Sequence, residues 1–443
     1  MIKKLVLVFI ATFAIGSYAQ EGTASPYSFY GIGSLKFKGT VENRSMGGLS
    51  IYMDSIHMNL RNPASYAGKN LEVLNGESRP VKFTVGGSYS SINLKSDSGK
   101  ANANSTTFDY LALSVPIGKF GFGFGLLPYT AVGYKLESLD SDKDNRIANR
   151  FRGEGGLNKA FVGLGYQITE GLSIGVDAQY NFGNIQNSTI AFVYDEDDIM
   201  TQYQTRENNR SDLSGVNFNL GLSYKAMLSE NLELVSGLTY TPESNLVSKN
   251  ERSFSTIIAS TSGEDAVYNT VDADLEASGL LETDLVMPSK FSIGAGIGKP
   301  RKWFVGIESE YQNTSSFSND LYSSTVVKYE NSTNVSIGGF YIPQYNSFSS
   351  YFKRAVYRAG LHFENTGLVF TNTDPNIKDE SINEFGISFG IGVPVGSFFS
   401  NANLGLELGK RGTTNSNLIQ ENFINFQISL SLNDRWFQKR KYD

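Results

Sequence analysis

Residues 172–183 read LSIGVDAQYNFG. In an extended chain Leu172, Ile174, Val176, Ala178, Tyr180 and Phe182 fall on one face. Ser173, Gly175, Asp177, Gln179, Asn181 and Gly183 fall on the other, since successive side chains of a strand point to opposite faces. Residues 424–433, INFQISLSLN, repeat the pattern, with Ile424, Phe426, Ile428, Leu430 and Leu432 set against Asn425, Gln427, Ser429, Ser431 and Asn433.

Fourteen segments read this way, at 80–96, 104–116, 119–138, 148–168, 171–190, 211–228, 231–250, 284–298, 302–314, 330–345, 351–367, 380–395, 400–412 and 421–437. Most reach the roughly 9–11 residues that a tilted strand needs to cross a bilayer. Their connections alternate. IGKF (117–120), TEGL (169–172), LSEN (228–231) and GKPRK (298–302) are tight turns, whereas 97–103, 139–147, 191–210, 251–283, 315–329 and 368–379 are longer polar links. Short turns at one end and long loops at the other mark a membrane barrel. Lipid tolerates no open sheet edge, so spanning strands must close on themselves. The expected fold is therefore all-β, a 14-stranded antiparallel transmembrane barrel over 80–437, with an N-terminal plug in its lumen. An even strand number puts both mature termini on the short-turn side, the periplasm.

The composition agrees with this reading. The chain has 443 residues, with 45 Gly, 24 Tyr and 30 Phe, 19% charged residues, no cysteine and a formal net charge of −6. Disulfides and thiolate metal sites are excluded, and nothing in the charge calls for nucleic acid. The opening MIKKLVLVFIATFAIGSYAQ has basic Lys3 and Lys4, an apolar run from Leu5 to Ile15, and the small-x-small site Ser17-Tyr18-Ala19. It predicts a signal peptide over 1–19, because the run is too short to span a bilayer as a helix. Residues 438–443 would form a short basic periplasmic tail. Aromatics at strand ends, among them Tyr166, Tyr224, Tyr240, Trp303, Tyr311 and Trp436 in RWF, would mark the two interfaces.

The 60 or so residues ahead of the first strand contain NRSMGGLSIYMDSIHMNLRNPASYA (43–67). Its Gly47-Gly48 pair, its Asp54-Ser55 and its Asn62-Pro63-Ala64 triplet resemble the N-terminal plug of the FadL/TodX-type family of long-chain fatty-acid channels. The segments 153–166, 351–363 and 421–443 resemble a Bacteroidota-type branch of that superfamily. The resemblance implies a plug over 20–79 and a bacterial outer-membrane location. It also implies a kink in the third strand that opens sideways toward lipid, with Pro128 and Gly125 in GFGFGLLPYTAVGY (121–134) as its equivalent.

A barrel this wide needs its lumen filled. Gly47 and Gly48 permit tight turns, Pro63 pushes Asn62 to an extended conformation, and Asn62 and Asp54 can satisfy backbone donors that no ladder reaches. Alternation places Asp177, Glu308, Glu310, Arg358 and His362 in the lumen as anchors for the plug, together with Lys225, Glu233 and Glu407. The expected function is passive uptake of a hydrophobic or amphipathic, fatty-acid-like solute. The plug would gate it and the solute would leave at strand 3. The alternative is a plugged accessory barrel, a binding or scaffold subunit of an outer-membrane assembly or secretion complex. Its partners would be outer-membrane lipid and other outer-membrane proteins, and the 251–283 loop would carry contacts.

Other motifs carry less. DSDKDN (140–145) lacks the sixth-position Gly and the closing Glu of a Ca²⁺ loop, so no metal and no cofactor are expected. His57 and His362 are the only histidines, and neither sits in a nucleophile motif, so an enzyme is not expected.

Overall fold

The computed structural model describes residues 22–54, 56–67, 80–97, 99–140, 146–260, 265–318, 326–371, 378–395 and 400–434. The expected signal peptide, Ser55, Arg435 to Phe437 and the expected basic tail lie outside them. Alternation of the kind seen at 172–183 builds fourteen strands that close into an antiparallel barrel.

In chain order they are β1 (Val81–Ser96), β2 (Gly99–Ile117), β3 (Phe120–Pro128 and Thr130–Leu139), β4 (Ile147–Gln167), β5 (Leu172–Ala191), β6 (Gln204–Ser229) and β7 (Leu232–Thr241 and Ser244–Ile258). Then follow β8 (Glu282–Met287 and Lys290–Lys299), β9 (Trp303–Gln312), β10 (Val327–Tyr329 and Ser332–Tyr341), β11 (Val356–Phe370), β12 (Glu380–Pro394), β13 (Asn401–Arg411) and β14 (Gln420–Asp434). Each strand pairs with the next. β14 pairs with β1 from Asp434↔Val81 to Gln420↔Lys95, which leaves no edge at the seam.

The two faces of the alternation separate as lipid and lumen require. On β5, Ile174, Val176 and Tyr180 are exposed while Asp177, Gln179 and Asn181 are buried. A soluble core would have reversed this order, so the exposed apolar face is the lipid-facing one. Tyr240, Phe291 and Tyr311 are register neighbours on β7, β8 and β9 and are all exposed, forming one stretch of an aromatic girdle.

Several boundaries differ from expectation. The link at 97–103 is a tight turn, because β2 already begins at Gly99 and pairs with Ser96. β6 begins at Gln204, inside the expected 191–210 link. The expected 251–283 loop is partly strand, since β7 runs to Ile258 and Ala266–Asp272 folds back on it. β7 and β8 are not continuous. Each breaks at a proline, Pro242 and Pro288, which cannot donate to a ladder. The wall is uneven in height: β6 has 26 residues, whereas β9 has 10.

Candidate functional site: the lumen and the parting of β2 from β3

The N-terminal segment has little regular structure, and side chains satisfy much of its backbone. Thr40 caps the single helical turn Val41–Arg44 in a capping box with Asn43. Gly47 (φ 70°) and Gly48 (φ 90°) then reverse the chain in a conformation that strains any other residue. Asp54 Oδ1 accepts from the N–H groups of Ile56 (2.9 Å) and His57 (2.6 Å). Burial alone would raise the Asp54 carboxyl, but His57, with Nδ1 2.6 Å from Oδ2, outweighs it and holds the carboxyl well below its ordinary range. Asn62 is extended (φ −121°, ψ 107°), as a residue before proline must be, and caps the turn Pro63–Tyr66 by accepting from Ala64 N–H at 3.0 Å. Its amide also donates to Leu222 O on β6 at 3.0 Å. Pro63 and Ala64 are buried.

The wall meets this segment with glycine. A Cβ at Gly121 would collide with Tyr66 O, one at Gly175 with Ala64 N, and one at Gly221 with Asn62 Oδ1. Across the lumen, Gly338 and Gly360 face the backbone at Met46, and Gly390 faces Ser45. Inward glycines on β3, β5, β6, β10, β11 and β12 thus let the segment lie against the sheet at backbone distance. Part of the high glycine content has its reason here, which composition alone does not reveal.

Charges fasten it further. Arg61 reaches Glu310, lies 3.4 Å from Glu308 Oε1, and donates to Gly48 O at 2.8 Å. Glu308 also accepts from Ser50 N–H (2.7 Å) and its hydroxyl (2.9 Å). Arg44 Nε donates to Glu407 Oε2 at 2.9 Å, and Glu407 Oε1 lies 3.7 Å from His362 Nδ1. His362 Nε2 is 3.2 Å from Glu384, which Arg411 also holds at 2.5 Å. Arg358 donates to Asn403 (3.0 Å) and approaches His57 Nε2 (3.5 Å). Asp177, 1% exposed, takes a 3.4 Å contact from the Asn219 amide, which also donates to Arg61 O at 3.0 Å. The structure therefore brings Asp177, Glu308, Glu310, Arg358 and His362 to the N-terminal segment directly or through one intermediary. Lys225 and Glu233 form their own pair at 2.6 Å. Sequence reading missed the segment's own cations, Arg44 and Arg61. The available signal was two arginines in a stretch that alternation leaves facing carboxylates.

The barrel wall parts between β2 and β3. Their pairing runs only from Ile117↔Phe120 to Leu111↔Leu126. Gly125 sits at its end, where a Cβ would strike Leu111 O and the Phe161 ring. Beyond Pro128, β3 turns inward: Tyr129, Thr130, Ala131, Val132 and Tyr134 are all buried, which no lipid-facing alternation allows. Thr130 and Ala131 pair instead with Leu35 and Ser34 of the N-terminal segment. The β3-facing edge of β2 from Gly99 to Tyr110 consequently has no strand partner among the described residues.

Behind this parting lie a cavity of about 270 Å³ and a smaller one of about 120 Å³. Leu35 lines both and is 43% exposed. The larger has an aromatic side (Tyr27, Tyr30, Phe317, Tyr329) and a charged side. Lys36, Lys38, Arg44, Arg61, Lys290 and Arg411 outnumber Glu310, Glu364, Glu384 and Glu407 there. Lys38 and Lys159 place their ammonium groups 4.2 and 4.5 Å from the centre of the Tyr129 ring. Burial pushes Lys36 down to about 8, and burial with Lys290 and Lys159 nearby pushes Lys38 well below its ordinary value.

Solved structures share this architecture. The chain aligns over 91% of its length with all of a Pseudomonas aeruginosa FadL homologue (TM-score 0.58, 13% identity). It aligns over 91% with all of the P. putida toluene transporter TodX (TM-score 0.58, 17% identity). It aligns over 90% with all of the Ralstonia pickettii toluene transporter TbuX (TM-score 0.57, 14% identity). At these identities the likeness is one of fold. No curated protein matches the chain in sequence. The family model described as BamG matches residues 1–443, from the first residue to the last, and the chain belongs to the BamG family.

Proposed function

We propose that this protein is a plugged barrel serving as a subunit of an outer-membrane protein assembly complex, and that residues 20–79 form a fixed seal. The observation that carries the reading is the full-length match to the BamG family. The lumen supports it. The segment is held to β9 by Arg61 with Glu308 and Glu310, and to β13 by Arg44 with Glu407. It is also tied at the seam by Lys82 Nζ to His57 O (2.9 Å) and Asn433 Nδ2 to Ile56 O (3.0 Å). In this reading Gly47, Gly48, Asp54, Ser55, Asn62, Pro63 and Ala64 are seal elements rather than gate elements. The outer membrane of a Bacteroidota-type bacterium, with periplasmic termini, is the location that fits. The chemistry of such a barrel is mechanical, and no catalytic group is assigned.

A second reading rests on the parting of β2 from β3. A lateral opening at Gly125 and Pro128 would let an anionic amphiphile pass between the cation-rich cavity and lipid. The fold of the toluene transporters supports this reading. Purification from native membranes in mild detergent, with mass spectrometry of lipids and proteins together, separates the two. The subunit reading expects partner proteins at fixed stoichiometry. A lone chain carrying a bound amphiphile would overturn it in favour of the channel.

A further inference from the structure

At the short-turn end, one connection stands apart. β10 ends at Tyr341 and β11 begins at Val356, and Ile342–Ala355 between them is the longest strand connection at that end. It is an ordered segment. Ile342 N–H donates to Lys302 O (2.7 Å) and Gln344 N–H to Lys353 O (2.8 Å), and Phe352–Arg354 forms a 3-10 turn. It nevertheless presents apolar rings outward: Phe348 is fully exposed, Phe352 is 65% exposed and Tyr351 43%.

The segment lies against the lipid-facing side of the wall. Trp303, Tyr341 and Tyr357 are register neighbours on β9, β10 and β11. Alternation puts them on the same face as the exposed Val305, Ile337 and Leu361, so they belong to the aromatic girdle at this end. The Tyr357 hydroxyl donates to Phe352 O at 3.2 Å. The Tyr351 hydroxyl donates to Pro394 O, at the end of β12, at 2.5 Å. Both bonds pin the turn beside the girdle.

The charge here is one-sided. Residues 299–303 and 341–357 contain Lys299, Arg301, Lys302, Lys353 and Arg354 and no carboxylate. The adjoining strand ends, 294–298, 304–307, 390–395 and 400–405, contain none either. Of the wall carboxylates beyond them, Glu233, Glu308 and Glu407 are buried in the lumen and held by Lys225, Arg61 and Arg44, and Glu230 stands one hairpin away. The guanidinium groups of Arg301 and Arg354 lie 5.5 and 5.4 Å from the centres of the Tyr345 and Tyr351 rings. Cations of this kind beside a girdle suit a phosphodiester headgroup whose glycerol and upper acyl chains lie along the rings. An acidic protein segment would satisfy the cations but not the setting of the rings against the lipid-facing wall.

We propose that Ile342–Ala355, with the neighbouring turn 299–302, is a binding site for an anionic glycerophospholipid of the leaflet at the short-turn end. The site lies outside the lumen, so it stands whether the plug opens or stays shut.

Trp303 is a reporter within the site, since the chain's other tryptophan is Trp436. Full-length Trp436→Phe is reconstituted in phosphatidylcholine vesicles doped with a minor fraction of brominated lipid, either phosphatidylglycerol or phosphatidylcholine. Brominated phosphatidylglycerol should quench Trp303 about threefold more than brominated phosphatidylcholine does. That excess should fall by about half or more in Lys353→Gln/Arg354→Gln and in Arg301→Gln/Lys302→Gln, and persist in Arg210→Gln, a substitution at the long-loop end. Equal quenching by the two lipids, or an excess unchanged in both double variants, would overturn the proposal. Soluble glycerol phosphate in excess should leave the quenching as it is; relief would show a site for phosphate alone and not for lipid.

In native membranes, a photoreactive phenylalanine analogue at position 348 should add the mass of a phospholipid to the chain. Absence of a lipid adduct would count against the site. A protein as the main product would overturn it and mark the segment as a docking surface for an acidic partner.

Discussion

At the scale of single residues, the proposed seal rests on charges that water does not reach freely. Arg61, Glu308 and Glu310 have side chains only 13%, 4% and 21% exposed. Removing one member of such a cluster strands the others. Arg61→Ala should therefore destabilise the detergent-solubilised barrel by about 3–5 kcal/mol, read as a lower unfolding temperature in a gel-mobility assay. Adding Glu308→Gln should recover part of the loss, and an unchanged unfolding temperature in Arg61→Ala would show the cluster to be idle. Glycine contacts make a second prediction at this scale. Gly360→Val must push against Met46 and Gly47, so the same assay should show a loss of about 1–3 kcal/mol from overpacking. Gly118, where an added Cβ meets nothing within 4 Å, is the wrong control because its φ is 60°. Gly99, equally open and without that φ, is the right one, and Gly99→Ala should be near neutral.

At the scale of elements, β3 decides how the wall behaves. Pro128 announced an interruption, but the direction of the bend was not legible in the sequence. It depends on Ser34 and Leu35, two residues from a distant segment that pair with Ala131 and Thr130. For the same reason Pro242 and Pro288 passed unremarked. A proline in an alternating run reports a broken ladder, while the neighbouring strands decide whether the break is a bulge or a parting. The absence of cysteine makes the parting testable by labelling. Leu35→Cys should react with a maleimide carried on a lipid tail, because Leu35 is 43% exposed where β2 and β3 separate. Leu49→Cys, from a residue with 0% exposure, should not react. Equal protection of both would mean that the wall is closed there.

At the scale of the whole molecule, period-two alternation made the fourteen strands and the lipid-facing surface legible, since lipid and lumen impose opposite demands on alternate residues. The wall carboxylates Glu308 and Glu310 were readable from the same period. Their partners Arg44 and Arg61 were not, because an irregular segment has no period to place its side chains. Function was harder still: the likeness to the toluene transporters is one of fold, the full-length BamG match names a family, and the two proposed readings differ in whether the plug opens. Conductance of the purified protein in planar lipid bilayers tests the proposed seal most directly. The account predicts no current steps from the wild-type barrel, with or without an added fatty acid, and stable steps once residues 22–67 are deleted. Steps from the wild-type protein that appear when fatty acid is added would contradict it, because the plug would then be a gate and the protein a channel.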